Sequence, residues 1–198
     1  TLTSQTFHPI ARFQRLLAIG DITSAGVPVI HTIDKDDVGV SSRLVFGAEY
    51  IPRLIITSSN GFWIGLQHQG FGNAKIIAWD GFSLTYNNEY EIEGSAPLTG
   101  FIVNDIPYFV TEVGYIFKFI GGGFSKVQDF GLKENRQTFS TVIGEETGMV
   151  PYGNHVEGDI VYLNIGMPMV ESDVGATTFR GGVRRGRSGI WIFNTKTL

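Results

Sequence analysis

The 198-residue chain contains no cysteine. That removes disulfides, thiol nucleophiles and thiolate metal sites, but it assigns no compartment, because many secreted and particle-bound proteins also lack cysteine. No apolar run approaches the roughly 20 residues that cross a bilayer as a helix. The opening TLTSQTFHPIARFQ has neither the basic start nor the apolar core of a signal peptide. Charged residues make up only 17%, and the formal charge of −4 points away from a surface built as a nucleic-acid platform. It leaves room for a local basic patch. Helical periodicity is scarce as well. It is best in HPIARFQRLLAIG, where Ile10, Phe13, Leu16 and Leu17 fall near helical spacing and strand or loop stays equally open.

What the chain does have is glycine, at 26 residues, and aromatic side chains, at 13% with 15 Phe. That pairing suits many short strands joined by tight turns. Runs such as VPVIHTI (27–33), RLIITSS (53–59), FWIGLQ (62–67), AKIIAWD (74–80), PYFVTE (107–112), YIFKF (115–119), DIVYLNIG (159–166) and GIWIFN (189–194) are β-branched and aromatic. They are bounded by Gly, Asn, Asp, Pro or Ser, as strands are. The fold class is all-β.

The runs recur in a fixed order. A strand, a turn such as Asn60-Gly61 or Asn104-Asp105, a second strand and a third follow one another three times. The second strands begin near Trp63, Tyr108 and Val161, 45 and 53 residues apart, and WDGFS (79–83) and GGGFS (121–125) nearly superimpose 42 apart. A period of roughly 40–50 residues with about four strands per unit is the signature of propeller blades. The glycines of YIFKFIGGGFSKV therefore belong to a hairpin, where positive φ is needed, with Phe-Ser opening the next strand. A phosphate loop would lead into a helix and a Lys-Ser/Thr pair, and neither follows. The expected architecture is a β-propeller or partial propeller of about four to five four-stranded antiparallel blades.

KIIAWDGFSLTYNNEYEIEG and IPYFVTEVGYIFKFIGGGFSKVQDFG resemble the repeats of kelch-like and sialidase-like propellers and of propeller domains in bacteriophage tail and virion structural proteins. The resemblance covers roughly residues 53–198; the kelch double-glycine signature and the sialidase Asp-box are not met in full. It implies a structural or protein–protein interaction module in a phage tail or other virion assembly, located in the virion or outside the cell, with other subunits as partners. A glycan-binding adhesion propeller is the alternative, with a glycosidase behind it. On this view residues 26–198 are blades, residues 1–25 are an N-terminal segment of open role, and the cut-looking ends suggest a piece of a longer chain.

Candidate sites are few. The loop MPMVESDVGATTFRGGVRRGRS (167–188) breaks the repeat, and Arg180, Arg184, Arg185 and Arg187 stand among its glycines as candidate binding residues. Four guanidiniums would grip an acidic face of a neighbouring subunit, an acidic glycan or phosphate. IDKDDVG places Asp34, Asp36 and Asp37 before Gly39, but the spacing of a calcium loop fails. In GNHVEGD, His155, Glu157 and Asp159 alternate as strand neighbours on one face would, and a hairpin with solvated polar residues competes with metal binding. A sialidase-like site would need carboxylates and tyrosines such as Glu49, Glu112, Tyr50, Tyr86, Tyr90 or Tyr108 beside Arg43, and no spacing singles out a pair. The aromatics Phe62, Trp63, Trp79, Phe82, Phe117, Phe119, Phe124 and Trp191 read as blade packing. No catalytic residue, metal or cofactor is implied.

Overall fold

The computed structural model describes residues 8–70, 72–129, 150–166 and 189–197. Among the described residues the strand-like runs of the sequence fall in fifteen strands that form four successive antiparallel sheets. The first sheet holds β1 (Ile10–Phe13), β2 (Leu16–Ile22), β3 (Pro28–Asp34) and β4 (Asp37–Val45). The second holds β5 (Tyr50–Ser58), β6 (Gly61–His68), β7 (Ala74–Trp79) and β8 (Asn88–Ile92). The third holds β9 (Pro97–Val103), β10 (Ile106–Thr111), β11 (Tyr115–Ile120) and β12 (Gly123–Asp129). The fourth has three strands among the described residues: β13 (Val150–Glu157), β14 (Ile160–Gly166) and β15 (Gly189–Asn194).

Strands follow chain order within each sheet, so each sheet is a meander and serves as one blade. The first strands neighbour one another in turn, β1 with β5, β5 with β9 and β9 with β13. Sheets that stack in this way are the blades of a β-propeller or of part of one. Each first strand joins its second through two residues: Gln14-Arg15, Ser59-Asn60, Asn104-Asp105 and Gly158-Asp159. Positive φ at Gln14 (52°), Asn104 (50°), Asp105 (63°) and Gly158 (58°) matches the strand twist that such short hairpins need. These turns also tie blade to blade. Ser59 donates its N–H to Asp105 Oδ1 at 2.8 Å and its hydroxyl to Asp105 Oδ2. Asn104 in turn donates to Asp159 Oδ1 at 2.9 Å.

Two local expectations change. The segment HPIARFQRLLAIG is a hairpin rather than a helix, because Gln14 and Arg15 reverse the chain and Leu16, Ala18 and Ile19 bury into the blade. The glycines of GGGFS do form the expected turn, with Gly121 and Gly122 at φ 61° and 88° between β11 and β12. Their counterpart WDGFS does not. Asp80 there opens a longer loop, 80–87, and β8 begins only at Asn88.

The core lies in three seams between successive blades. Leu16, Ala18, Ile30 and Leu44 of the first blade meet Ile55, Phe62, Ile64, Leu66, Ile77 and Trp79 of the second. Ala74, Ile76 and Ile92 of the second meet Phe109, Tyr115 and Phe117 of the third. Phe101, Val103, Tyr108, Val110 and Ile116 of the third meet Val161 and Leu163 of the fourth. The second blade is thus buried on both faces, which explains why FWIGLQ is nearly continuous in its apolar character. Each such side chain contributes on the order of 1.5–3 kcal/mol when fully buried, so the seams dominate stability.

Close approach across the seams depends on small residues set against proline. A Cβ on Gly20 would lie 2.8 Å from Pro52 Cβ, and one on Gly65 would lie 2.7 Å from Pro97 Cγ. Pro52, Pro97 and Pro151 take equivalent places early in the first strands, opposite Leu66, Thr111 and Ile165. An edge position suits a residue without an N–H. Gly65→Ala is expected to overpack the seam by about 1–3 kcal/mol, which at roughly 2–4 °C per kcal/mol is a visible fall in Tm. Gly123→Ala, with nothing within 4 Å of its Cβ, is the neutral control, and thermal unfolding of both variants checks the pair.

Candidate functional site

The site is an open depression of ≈ 220 Å³ where the seam between the second and third blades reaches the surface. Its floor comes from a row across one face of the second blade, in which Trp63 on β6 is registered with Ala78 on β7 and Ala78 with Asn88 on β8. The small Ala78 between two larger side chains leaves the dip. Tyr90, two residues beyond Asn88 on the same strand face, and Phe119 of the third blade complete the apolar side. The rings touch one another. Trp63 lies 5.1 Å from Phe119 and 5.8 Å from Phe124, while Tyr90 lies 5.3 Å from Phe119. The Trp63 indole N–H donates to Ser58 Oγ at 3.2 Å, which fixes the ring's orientation.

The polar side is supplied by turns. Asn60 comes from the β5–β6 hairpin, and Asn87 and Asn88 come from the junction of loop 80–87 with β8. All three are exposed, and their side-chain amides have no hydrogen bond among the described residues. The loop itself is well braced. Asp80 accepts from the N–H groups of Phe82 and Ser83, both at 2.8 Å, and from the Ser83 hydroxyl at 2.6 Å. The Trp79 indole donates to the Ser83 carbonyl at 2.9 Å, and the Asn87 N–H donates to the Ala78 carbonyl at 2.9 Å. Partial burial pushes the Asp80 pKa up, but the three donors outweigh it and hold the carboxyl below its usual range. At the loop's far end Tyr86 donates to Glu89, which also pairs with Lys75 at 2.6 Å. The bond to Glu89 raises the Tyr86 pKa. Phe82 and Leu84 remain 48% and 72% exposed, a high value for side chains of their size in a braced loop.

The sequence candidates are dispersed by the fold. Arg180, Arg184, Arg185 and Arg187 lie outside the described residues. Asp34 pairs with Arg15 at 3.0 Å and accepts the Asp36 N–H as an ordinary turn. His155 faces the ring of Tyr162, whereas Asp159 turns to Asn104 and Lys196, so the GNHVEGD side chains do not converge. Glu112 is buried and accepts from Ser95 and Ala96, and Arg43 donates to Thr32. Of the tyrosine and carboxylate set, Tyr90 lines the depression, whereas the Tyr86 ring stacks on Phe46. Asn60 was legible only as a turn residue, and Asn87 and Asn88 carried no signal of their own. Trp63, Phe119 and Phe124 do pack the blades, and Trp63 and Phe119 also line the depression.

Neither protein-family models nor curated proteins match the chain. Among solved structures, the computationally designed Ika4 protein is similar over 98% of this chain and 95% of its own, at 11% identity and a TM-score of 0.54. The N-terminal domain of Nup159 aligns over 83% of this chain and 40% of its own, at 9% identity and a TM-score of 0.46. A Saccharomyces cerevisiae complex of a Dbp5 variant with Nup159, a Gle1 variant, IP6 and ADP gives 10% identity, the same coverage and a TM-score of 0.45. The likeness to Ika4 is one of fold alone, and the two lower-scoring matches carry no argument.

The Asp80 and Asp105 carboxyls are both held low, Asp105 by the hydroxyl and N–H of Ser59. A folded pKa below the unfolded value means a contribution fully present above about pH 4 and lost as pH falls through the folded value. Asp80→Asn and Asp105→Asn, which keep the shape but not the charge, should each lower Tm at pH 7 by no more than about 1–2 °C, because solvent screens both carboxylates. Their melting curves should converge with that of the unaltered chain below about pH 3.

Proposed function

We propose that the chain is a non-enzymatic interaction module, with its propeller blades as a rigid scaffold and the depression on the second and third blades as its binding site. The observation that carries this is the rim of amides, Asn60, Asn87 and Asn88, exposed and without a partner among the described residues, around a fixed indole, Trp63. Buried polar groups of a fold pair with one another, whereas exposed amides such as these are met by water that a ligand's polar groups can replace. Placement in a phage tail or virion assembly, with other subunits as partners and a virion or extracellular location, is part of the same proposal. Its support is the resemblance of the repeats.

Residues that serve binding rather than folding are neutral to stability or cost the fold a little. The combined variant Asn60→Ala, Asn87→Ala, Asn88→Ala and Leu84→Ser is therefore expected to melt within about 2 °C of the unaltered chain, or slightly above it. A fall of more than about 5 °C would make these side chains structural and remove the basis of the proposal.

A further inference from the structure

We infer that the depression binds an uncharged saccharide, one pyranose ring at a time; this rests on the binding-site reading of the depression given above. Charge comes first. Among the described residues no Lys or Arg lines the depression, so none of them offers an anionic ligand a counter-charge there. Its one carboxylate, Asp80, has both oxygens occupied by Phe82 and Ser83. A cation would find three of its roughly four acceptor positions already taken. The ligand that fits is neutral.

Ring geometry narrows the class. Recognition of a quaternary ammonium needs aromatic faces turned toward a shared space, with the cation within about 6 Å of each ring centroid. Here the rings occupy one another, Trp63 with Phe119 at 5.1 Å and Tyr90 with Phe119 at 5.3 Å, so they make a floor and not a cage. A floor suits the apolar C–H face of a pyranose. Three free amides at the edge suit its hydroxyls, since each amide both donates and accepts, as each hydroxyl does. The Trp63 N–H is already engaged by Ser58, leaving the ring to act through its edge and face.

Size sets the extent. At ≈ 220 Å³ the depression is smaller than the roughly 300–1,000 Å³ that engulfs a drug-sized ligand. It takes one ring and leaves the rest of an oligosaccharide in solvent. Shallow, single-ring recognition gives weak individual binding, so several copies of the chain would bind a polysaccharide much more tightly than one copy does.

The test uses the full chain on a carbohydrate array that carries neutral glucose-, galactose-, mannose- and N-acetylglucosamine-terminated oligosaccharides beside sialylated and sulfated ones, with a proline-rich peptide series as a further arm. The expected result is retention on at least one neutral saccharide, competed by the free sugar in calorimetry. Asn60→Ala with Asn88→Ala, both exposed and without a fold role, should weaken it about tenfold or more, as the loss of two hydrogen bonds predicts. Binding of only acidic glycans or only the peptides, still sensitive to Asn60 and Asn88, would overturn the saccharide class while keeping the depression as a site. Binding that ignores both asparagines, or none to any probe, would overturn the inference and the site together.

Discussion

The rest of the structure depends on the packing of the second blade between its two neighbours. A sheet buried on one face leaves the other to water, but this one sends Phe62, Ile64, Leu66, Ile77 and Trp79 to the first blade and Ala74, Ile76 and Ile92 to the third. Two apolar faces cannot be satisfied by a single hairpin stack, so the chain must continue into further blades. The approach is close enough that Gly20 and Gly65 have no room for a methyl group against Pro52 and Pro97. Glycine weakens a strand interior by its entropy, and here the tighter seam offsets that loss.

The site follows from the same packing. A seam lined with aromatic rings has to end somewhere, and where it meets solvent its last rings are only half covered. Trp63, Tyr90 and Phe119 are those rings. In each meander the first and third connections lie at one end and the second at the other, and turn chemistry favours asparagine and aspartate. Apolar floor and polar rim are therefore brought together by the ordinary construction of a blade. What distinguishes the second blade is loop 80–87, which Asp80 and Trp79 hold in place, so that Asn87 and Asn88 stand beside the floor. The tie from Ser59 to Asp105 keeps the second and third blades in register at this same end.

The architecture was legible because its signals are local. Alternation, turn residues and spacing placed most strands, and Gly121-Gly122 was recognisable as a hairpin before any coordinates. The sequence carries a further signal: Pro52, Pro97 and Pro151 repeat at 45 and 54 residues and mark the starts of successive first strands. The first hairpin was obscured because Ile10, Phe13, Leu16 and Leu17 mimic a helical face over a single turn, and only burial by the neighbouring blade decides between the two. The match of WDGFS to GGGFS misled for a similar reason: an aspartate that gathers three donors builds a loop where two glycines build a tight turn. The depression was hidden for a deeper reason. Asn88 and Phe119 are far apart in sequence and meet only through sheet stacking, and nothing in the sequence separates an asparagine that makes a turn from one left free at a rim.

The central claim is that the end of the seam between the second and third blades is where a ligand sits, and the chain's three tryptophans allow a direct reading of it. Their indole N–H signals in a ¹H–¹⁵N spectrum report Trp63 at the floor, Trp79 beneath it and Trp191 on the fourth blade, away from the site. On titration with the neutral oligosaccharides, the account predicts a saturable shift of the Trp63 signal, a smaller one at Trp79 and none at Trp191. A saturable shift at Trp191 with Trp63 unmoved would contradict it, as would three signals that stay still at every sugar concentration.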